Sequence, residues 1–158
     1  MANTQAMTTS FMGELMTATH NFGVAPLRAT TTVDSFKAAL YLESATINAS
    51  TTVYSSTGEV TGTGYTAGGV AVTMGTVPTA TNSSTTAGVA FVTPSASITY
   101  TTVTLTANFN AVLIYNSTQS NKAVSVHTFG NQTVTAGTFT LTMPANTTST
   151  ALIRLATT

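Results

Sequence analysis

Apolar and polar residues alternate with a period of two along most of this chain. In "QTVTAGTFTLTMP" (132–144), Phe139 and Leu141 share one side and Thr138, Thr140 and Thr142 the other. In "SITYTTVTLTANF" (97–109), Thr99, Thr101, Val103 and Leu105 fall on one parity, and Ile98, Tyr100, Thr102 and Thr104 on the other. The apolar side changes parity near Thr102, which predicts a β-bulge or bend there. "KAVSVHTF" (122–129) sets Val124 and Val126 against Ser125 and His127, pointing His127 outward. "AVLIYN" (111–116) is unbroken apolar sequence, as expected of a central strand buried on both faces. Further strands are expected in 51–60, 69–77, 89–93 and 150–156, and a loop in 79–88. "FKAALYL" (36–42) is ambiguous: Ala and Leu suit a helix, whereas its shortness suits a strand. Short strands at this spacing, with no helices between them, predict an all-β fold. The expectation is an antiparallel β-sandwich or jelly roll of about eight strands.

The N-terminus breaks the pattern. Met7, Phe11 and Leu15 recur every fourth residue, with Met12 and Met16 beside them, which predicts a short helix. Gly13 weakens it by about 1 kcal/mol relative to Ala, and so short a helix is marginal unless docked. Asn21–Gly23 and Pro26 close it. The chain therefore divides into an N-terminal arm (1–26) and a β domain (27–158). Met7, Phe11, Met12, Leu15 and Met16 form a candidate partner-binding surface. Packing of the same face on the chain's own domain fits the periodicity equally well.

Composition sharpens the picture through charge. Only 5% of the 158 residues are charged and the formal net charge is zero, against a usual charged share of about 25%. Free proteins generally keep net charge away from zero to resist association, so this chain is expected to live in an assembly. No basic stripe supports nucleic-acid binding. No stretch reaches the roughly 18 apolar residues of a membrane span, and the N-terminus does not read as a signal peptide. Thr supplies the polarity, at about a quarter of the chain. The 42% hydrophobic content and its period-2 pattern argue against disorder.

Candidate chemistry is sparse. The absence of cysteine excludes disulfides, thiolate metal sites and a cysteine nucleophile. His20 and His127 have no ligand or carboxylate at motif spacing, so no catalytic, cofactor or metal residues are assigned. Glu43 and Glu59 could pair for glycoside hydrolysis only if folding joined them; a salt bridge or turn cap is the expected role of Glu59. No Gly-X-Ser-X-Gly elbow is present. Asn48, Asn82, Asn116, Asn131 and Asn146 begin Asn-X-Ser/Thr sequons, little above chance in so Ser/Thr-rich a chain. Arg154, alone among apolar neighbours, reads as an exposed edge-strand charge, or as one that pairs across a subunit interface. "TGTGYTAGGVAVT" (61–73) is rich in glycine but precedes a strand pattern rather than a helix and lacks a Lys-Ser/Thr pair. It is therefore not a phosphate loop. Gly62, Gly64, Gly68 and Gly69 are expected to supply positive φ angles or close backbone approach.

The stretches 35–73 ("SFKAALYLESATINASTTVYSSTGEVTGTGYTAGGVAVT"), 109–130 ("FNAVLIYNSTQSNKAVSVHTFG") and 137–156 ("GTFTLTMPANTTSTALIRLA") resemble small virion proteins of tailed bacteriophages. The resemblance covers about half of the chain and brings no catalytic residues. It implies a structural, non-enzymatic role without cofactors, first as a capsid decoration (cement) protein. Its partners would be the major capsid protein and copies of itself, as dimer or trimer. It would act at the capsid surface after synthesis in the host cytoplasm. A neck, tail or fibre component, with a receptor or glycan as ligand, is the alternative.

Overall fold

The computed structural model describes residues 3–16, 18–22, 33–75, 77–81 and 88–156. Among them the chain forms β1 (Ala6–Met7), α1 (Thr9–Met16), β2 (Phe36–Leu42), β3 (Val70–Val72), β4 (Thr79–Thr81), β5 (Val89–Val92), β6 (Ile98–Asn116), β7 (Lys122–Leu141) and β8 (Ile153–Ala156). All pairings are antiparallel. A five-stranded sheet has the order β1-β7-β6-β2-β3, and a three-stranded sheet the order β4-β5-β8. The expected all-β sandwich is what the chain forms.

The β6–β7 hairpin dominates, with strands of 19 and 20 residues. Sequence alternation suggested four shorter strands here. The structure joins them because the register shifts absorb each break in parity. One shift lies between Tyr100 and Val103, where Thr102 has φ 55°, so the bulge expected at Thr102 is present. The hairpin closes through Ser120 and Asn121, both left-handed.

β6 and β2 are central. Ala111 through Asn116 are all buried, as the apolar run requires. Phe36–Leu42 resolves as a strand, with Leu40 opposite Val112 and Ala38 opposite Ile114. Its five buried side chains need cover on both faces, which a central strand provides and a surface helix does not. One face joins Leu40, Val112, Ile114, Val124 and Phe11 with Val92 and Ile153 of the small sheet, so the main core lies between the sheets. The other face joins Ala39, Tyr41, Leu113, Tyr115 and Val126 beneath Ala45 and Ile47.

Residues 51–60 are not the expected strand. They form only isolated bridges, Val53 to Lys122 and Glu59 to Tyr41. Their backbone turns at Gly58 (φ 78°) and follows Glu59 inward rather than extending a sheet. The strand expected over 69–77 shortens to Val70–Val72.

The N-terminal helix exists but is not a free arm. Met7 belongs to β1, opposite Ser125 of β7, and not to the helix. Phe11 is 1% exposed in the main core, and Leu15 and Met7 pack against that core. The described parts of β1 and α1 thus pack on the β domain, and the boundary expected at 26 lies outside the described residues. Phe11 is thereby buried in the chain's own interior, with Leu15 half-buried at its margin. The side chains of Met12 and Met16, together with Pro26 and the loop residues 82–87, lie outside the described residues.

Candidate functional site

Glycines 62, 64 and 69 sit where backbones touch, and Gly68 sits against the Tyr115 hydroxyl. A side chain on Gly62 would strike the Thr104 carbonyl, one on Gly64 the Thr102 carbonyl and one on Gly69 the Ala38 carbonyl. Gly64, Gly68 and Gly69 have φ of 79°, 87° and 70°. This loop cradles an anion from its own chain. Gly68 N–H donates to Glu59 Oε1 at 2.8 Å, and the Tyr65 and Tyr54 hydroxyls donate to Oε1 and Oε2 at 2.7 and 2.6 Å. Glu59 is 6% exposed, and among the described residues no cation pairs with it. The turn-cap role expected of Glu59 is present, and phenols take the place of a salt bridge.

The chain's five tyrosines surround this carboxylate. Tyr115 hydroxyl donates to the Gly68 carbonyl, Tyr100 to Ala38 and Tyr41 to Ser55. Tyr54 stacks on Tyr115 at 4.7 Å and Tyr65 on Tyr100 at 5.9 Å. Burial, and after it the Glu59 carboxylate, raises the pKa of Tyr54, Tyr65, Tyr100 and Tyr115; burial first, against its bond to Ser55, pushes Tyr41 up to about 12. Their hydroxyls are committed inward; Tyr41, Tyr100 and Tyr115 are buried, and Tyr54 and Tyr65 are half-buried. Glu43, just past the end of β2, is exposed, whereas Glu59 is buried.

A second polar network fastens the N-terminal segment. Asn116 is wholly buried at the end of β6. Its Oδ1 accepts from the backbone of Thr118 and Gln119, and its amide donates to Asp34 Oδ2 at 2.9 Å and to His20 Nδ1 at 3.0 Å. Because Nδ1 accepts, the His20 proton sits on Nε2 and is donated to Glu14 Oε2 at 2.7 Å. Lys122 Nζ donates to Glu14 Oε1 at 2.6 Å. Asp34 also accepts from Asn21 N–H and Gln119. Burial opposes ionisation of Glu14, but Lys122 and His20 outweigh it and hold the carboxyl below its ordinary value. Burial lowers His20 more than Glu14 and Asp34 raise it.

His127 does not face outward as the alternation suggested. It is half-buried opposite Val112, on the main-core face of β7. Ser125 Oγ lies 2.9 Å from His127 Nε2, a pair that sequence reading did not single out. Burial pushes the imidazole down to about 4, and among the described residues no carboxylate bonds to the ring. Ser125 itself is 3% exposed. A buried hydroxyl beside such a histidine is a satisfied polar pair and lacks the third member of a hydrolytic triad.

The remaining sites are surfaces. An apolar cleft of about 310 Å³ lies between α1 and the small sheet, lined by Phe11, Leu15, Phe22, Phe91, Ile153 and Leu155. Arg154 is exposed on the edge strand β8, as expected. Along the hairpin, Thr99, Thr101, Thr106, Thr133, Thr135, Thr138 and Thr140 face solvent, and between Ile98 and Leu141 the sole Asp, Glu, Lys or Arg is Lys122. Among the described residues no cluster of three metal-ligating side chains occurs, and no helix is long and apolar enough to cross a membrane. No family model, curated protein or solved structure matches the chain.

Proposed function

We propose that this protein is a structural component of a tailed-phage particle. In this reading it is a decoration (cement) protein, without enzymatic activity, that binds the outside of the capsid and stabilises it. Its partners are the major capsid protein and further copies of itself, and its place is the virion surface. The observation that carries the reading is the neutral, threonine-covered exterior of the long β6–β7 hairpin. Such a surface makes many hydrogen bonds that salt does not screen as it screens exposed ion pairs. It also suits a protein whose surface is largely covered by neighbours, since near-zero net charge is poor protection for a free chain. The internal commitment of all five tyrosines weighs against the glycan-binding form of a tail or fibre role.

Quantitative mass spectrometry of purified particles tests the reading. A molar ratio to the major capsid protein near one supports decoration of the shell. A ratio of a few per cent moves the protein to the neck, tail or fibre. Absence from particles removes the virion role.

A further inference from the structure

One long edge of the large sheet has neither charge nor proline to guard it against pairing. Exposed edges are normally kept short, charged, interrupted by proline or covered. β3 is three residues long; β4 is three residues and follows Pro78; β8 is four residues and carries Arg154. β7 is different. Two-residue β1 pairs with it only at Ser125 and Val126. From Thr128 to Leu141 its outer side has no backbone partner among the described residues. That stretch contains no Asp, Glu, Lys, Arg or Pro. Open space surrounds Gly130, where an added side chain would meet nothing within 4 Å.

Bulges limit which part can accept a strand. Ala136, with φ 45°, breaks the edge. Beyond it Phe139, Thr140 and Leu141 pair in regular register with Tyr100, Thr99 and Ile98. Thr138 and Thr140 are exposed, whereas Phe139 and Leu141 are half-buried at the margin of the main core.

We infer that the β7 edge at Gly137–Leu141 pairs antiparallel with the same edge of a second copy, joining two large sheets about a two-fold axis. Three properties select this occupant. Antiparallel pairing of a strand with its copy closes by two-fold symmetry, so one patch serves both sides. The edge is neutral, which favours a neutral strand, and this chain presents one. A register centred on Phe139 also preserves parity. It sets Thr138 against Thr140 of the partner subunit on one face and apolar against apolar on the other. The inference gives the self-association of the preceding section a surface and a symmetry. Its test uses the isolated protein, so its failure would leave the capsid role standing.

Sedimentation of the full chain should give a dimer. T138K/T140K places lysines opposite lysines and should yield a monomer with an unchanged circular dichroism spectrum. T138K/T140E places lysine opposite glutamate and should restore the dimer. Hydrogen–deuterium exchange of the wild type, which needs no variant, should show the outward-facing amides of 137–141 losing protection on dilution. A monomeric wild type, a trimer, a T138K/T140K dimer or concentration-independent exchange would each overturn the inference.

Discussion

The Tyr65 hydroxyl stands between Glu59 and β2: it donates to Glu59 Oε1 at 2.7 Å and accepts the Leu40 amide hydrogen at 3.0 Å. One phenol thereby ties a buried carboxylate to a central strand. Glu59→Gln keeps the shape but replaces one acceptor oxygen with a donor facing phenols and a glycine N–H. Hydrogen bonds to charged groups contribute about 1.5–3 kcal/mol each, and mismatched donors add desolvation cost. The variant is expected to lose about 2–4 kcal/mol in urea unfolding. A loss below about 0.5 kcal/mol, the scale of an ordinary surface change, would mean that the carboxylate is not central to the fold.

The same cluster gives an alkaline signature. Every tyrosine pKa is raised, Tyr41 to about 12. The unfolded chain ionises first, near 10, so the stability these groups contribute is complete below 10 and is lost as pH rises above it. Ultraviolet titration should show no tyrosinate at the ordinary pKa, then a cooperative rise coinciding with unfolding. A gradual titration centred near 10 in folded protein would contradict the internal placement of the hydroxyls.

The glycine loop predicts a sharp contrast. Gly69 has φ 70° and faces the Ala38 carbonyl, so Gly69→Ala meets backbone in a conformation that alone costs about 1–2 kcal/mol. The collision adds to that, and the variant should be poorly folded or several degrees less heat-stable. Gly130→Ala enters open space and should change stability by no more than about 0.5 kcal/mol. Thermal melts of the two variants decide the point; equal effects would remove the close-approach explanation for the loop.

Features legible in the sequence are those set by neighbours along the chain. The Ala111–Asn116 run announces a doubly covered strand, and the parity change at Thr102 announces its bulge. The glycines of 61–73 announce a turn because a strand pattern follows them. What binds those elements was not legible. His20 and Asn116 are 96 residues apart, and Lys122 and Glu14 are 108 apart. No local period encodes such meetings. The fourfold spacing of Met7, Phe11 and Leu15 describes an apolar side but not what covers it. Backbone pairing with Ser125 took Met7 out of the helix altogether. His127 misled because alternation does not tell that both faces of β7 are covered: it still alternates with Val126, but its side, opposite Val112, is the main-core face.

Phe11 distinguishes a helix built into the domain from an arm held for a partner. It is 1% exposed, edge-on to His20 at 4.9 Å and to Phe22 at 5.7 Å. Truncating a buried phenylalanine costs about 3–5 kcal/mol. Phe11→Ala should therefore destabilise the isolated protein by about that amount in urea or heat. An arm contact would instead leave the isolated protein's stability unchanged and weaken only its association. Deletion of residues 1–20 is expected to unfold the main core rather than release a folded β domain.

Acid should weaken the fold through its two histidines. Both imidazoles are lowered by burial, His127 to about 4, whereas the unfolded chain takes up protons near 6.5. Their contribution is fully present above about 6.5 and is lost as pH falls toward the folded values. Glu14, also lowered, adds a loss in the same direction beginning near 4.5. Each histidine contributes a slope of at most about 1.4 kcal/mol per pH unit within its window. Urea midpoints should therefore be level above pH 7 and fall steadily between about 6.5 and 4. His127→Gln, which cannot protonate, should remove the His127 share of that slope while leaving the His20 share. A midpoint independent of pH across this window would mean that both rings are charged in the folded protein, and the proton assigned to His20 Nε2 alone would be wrong.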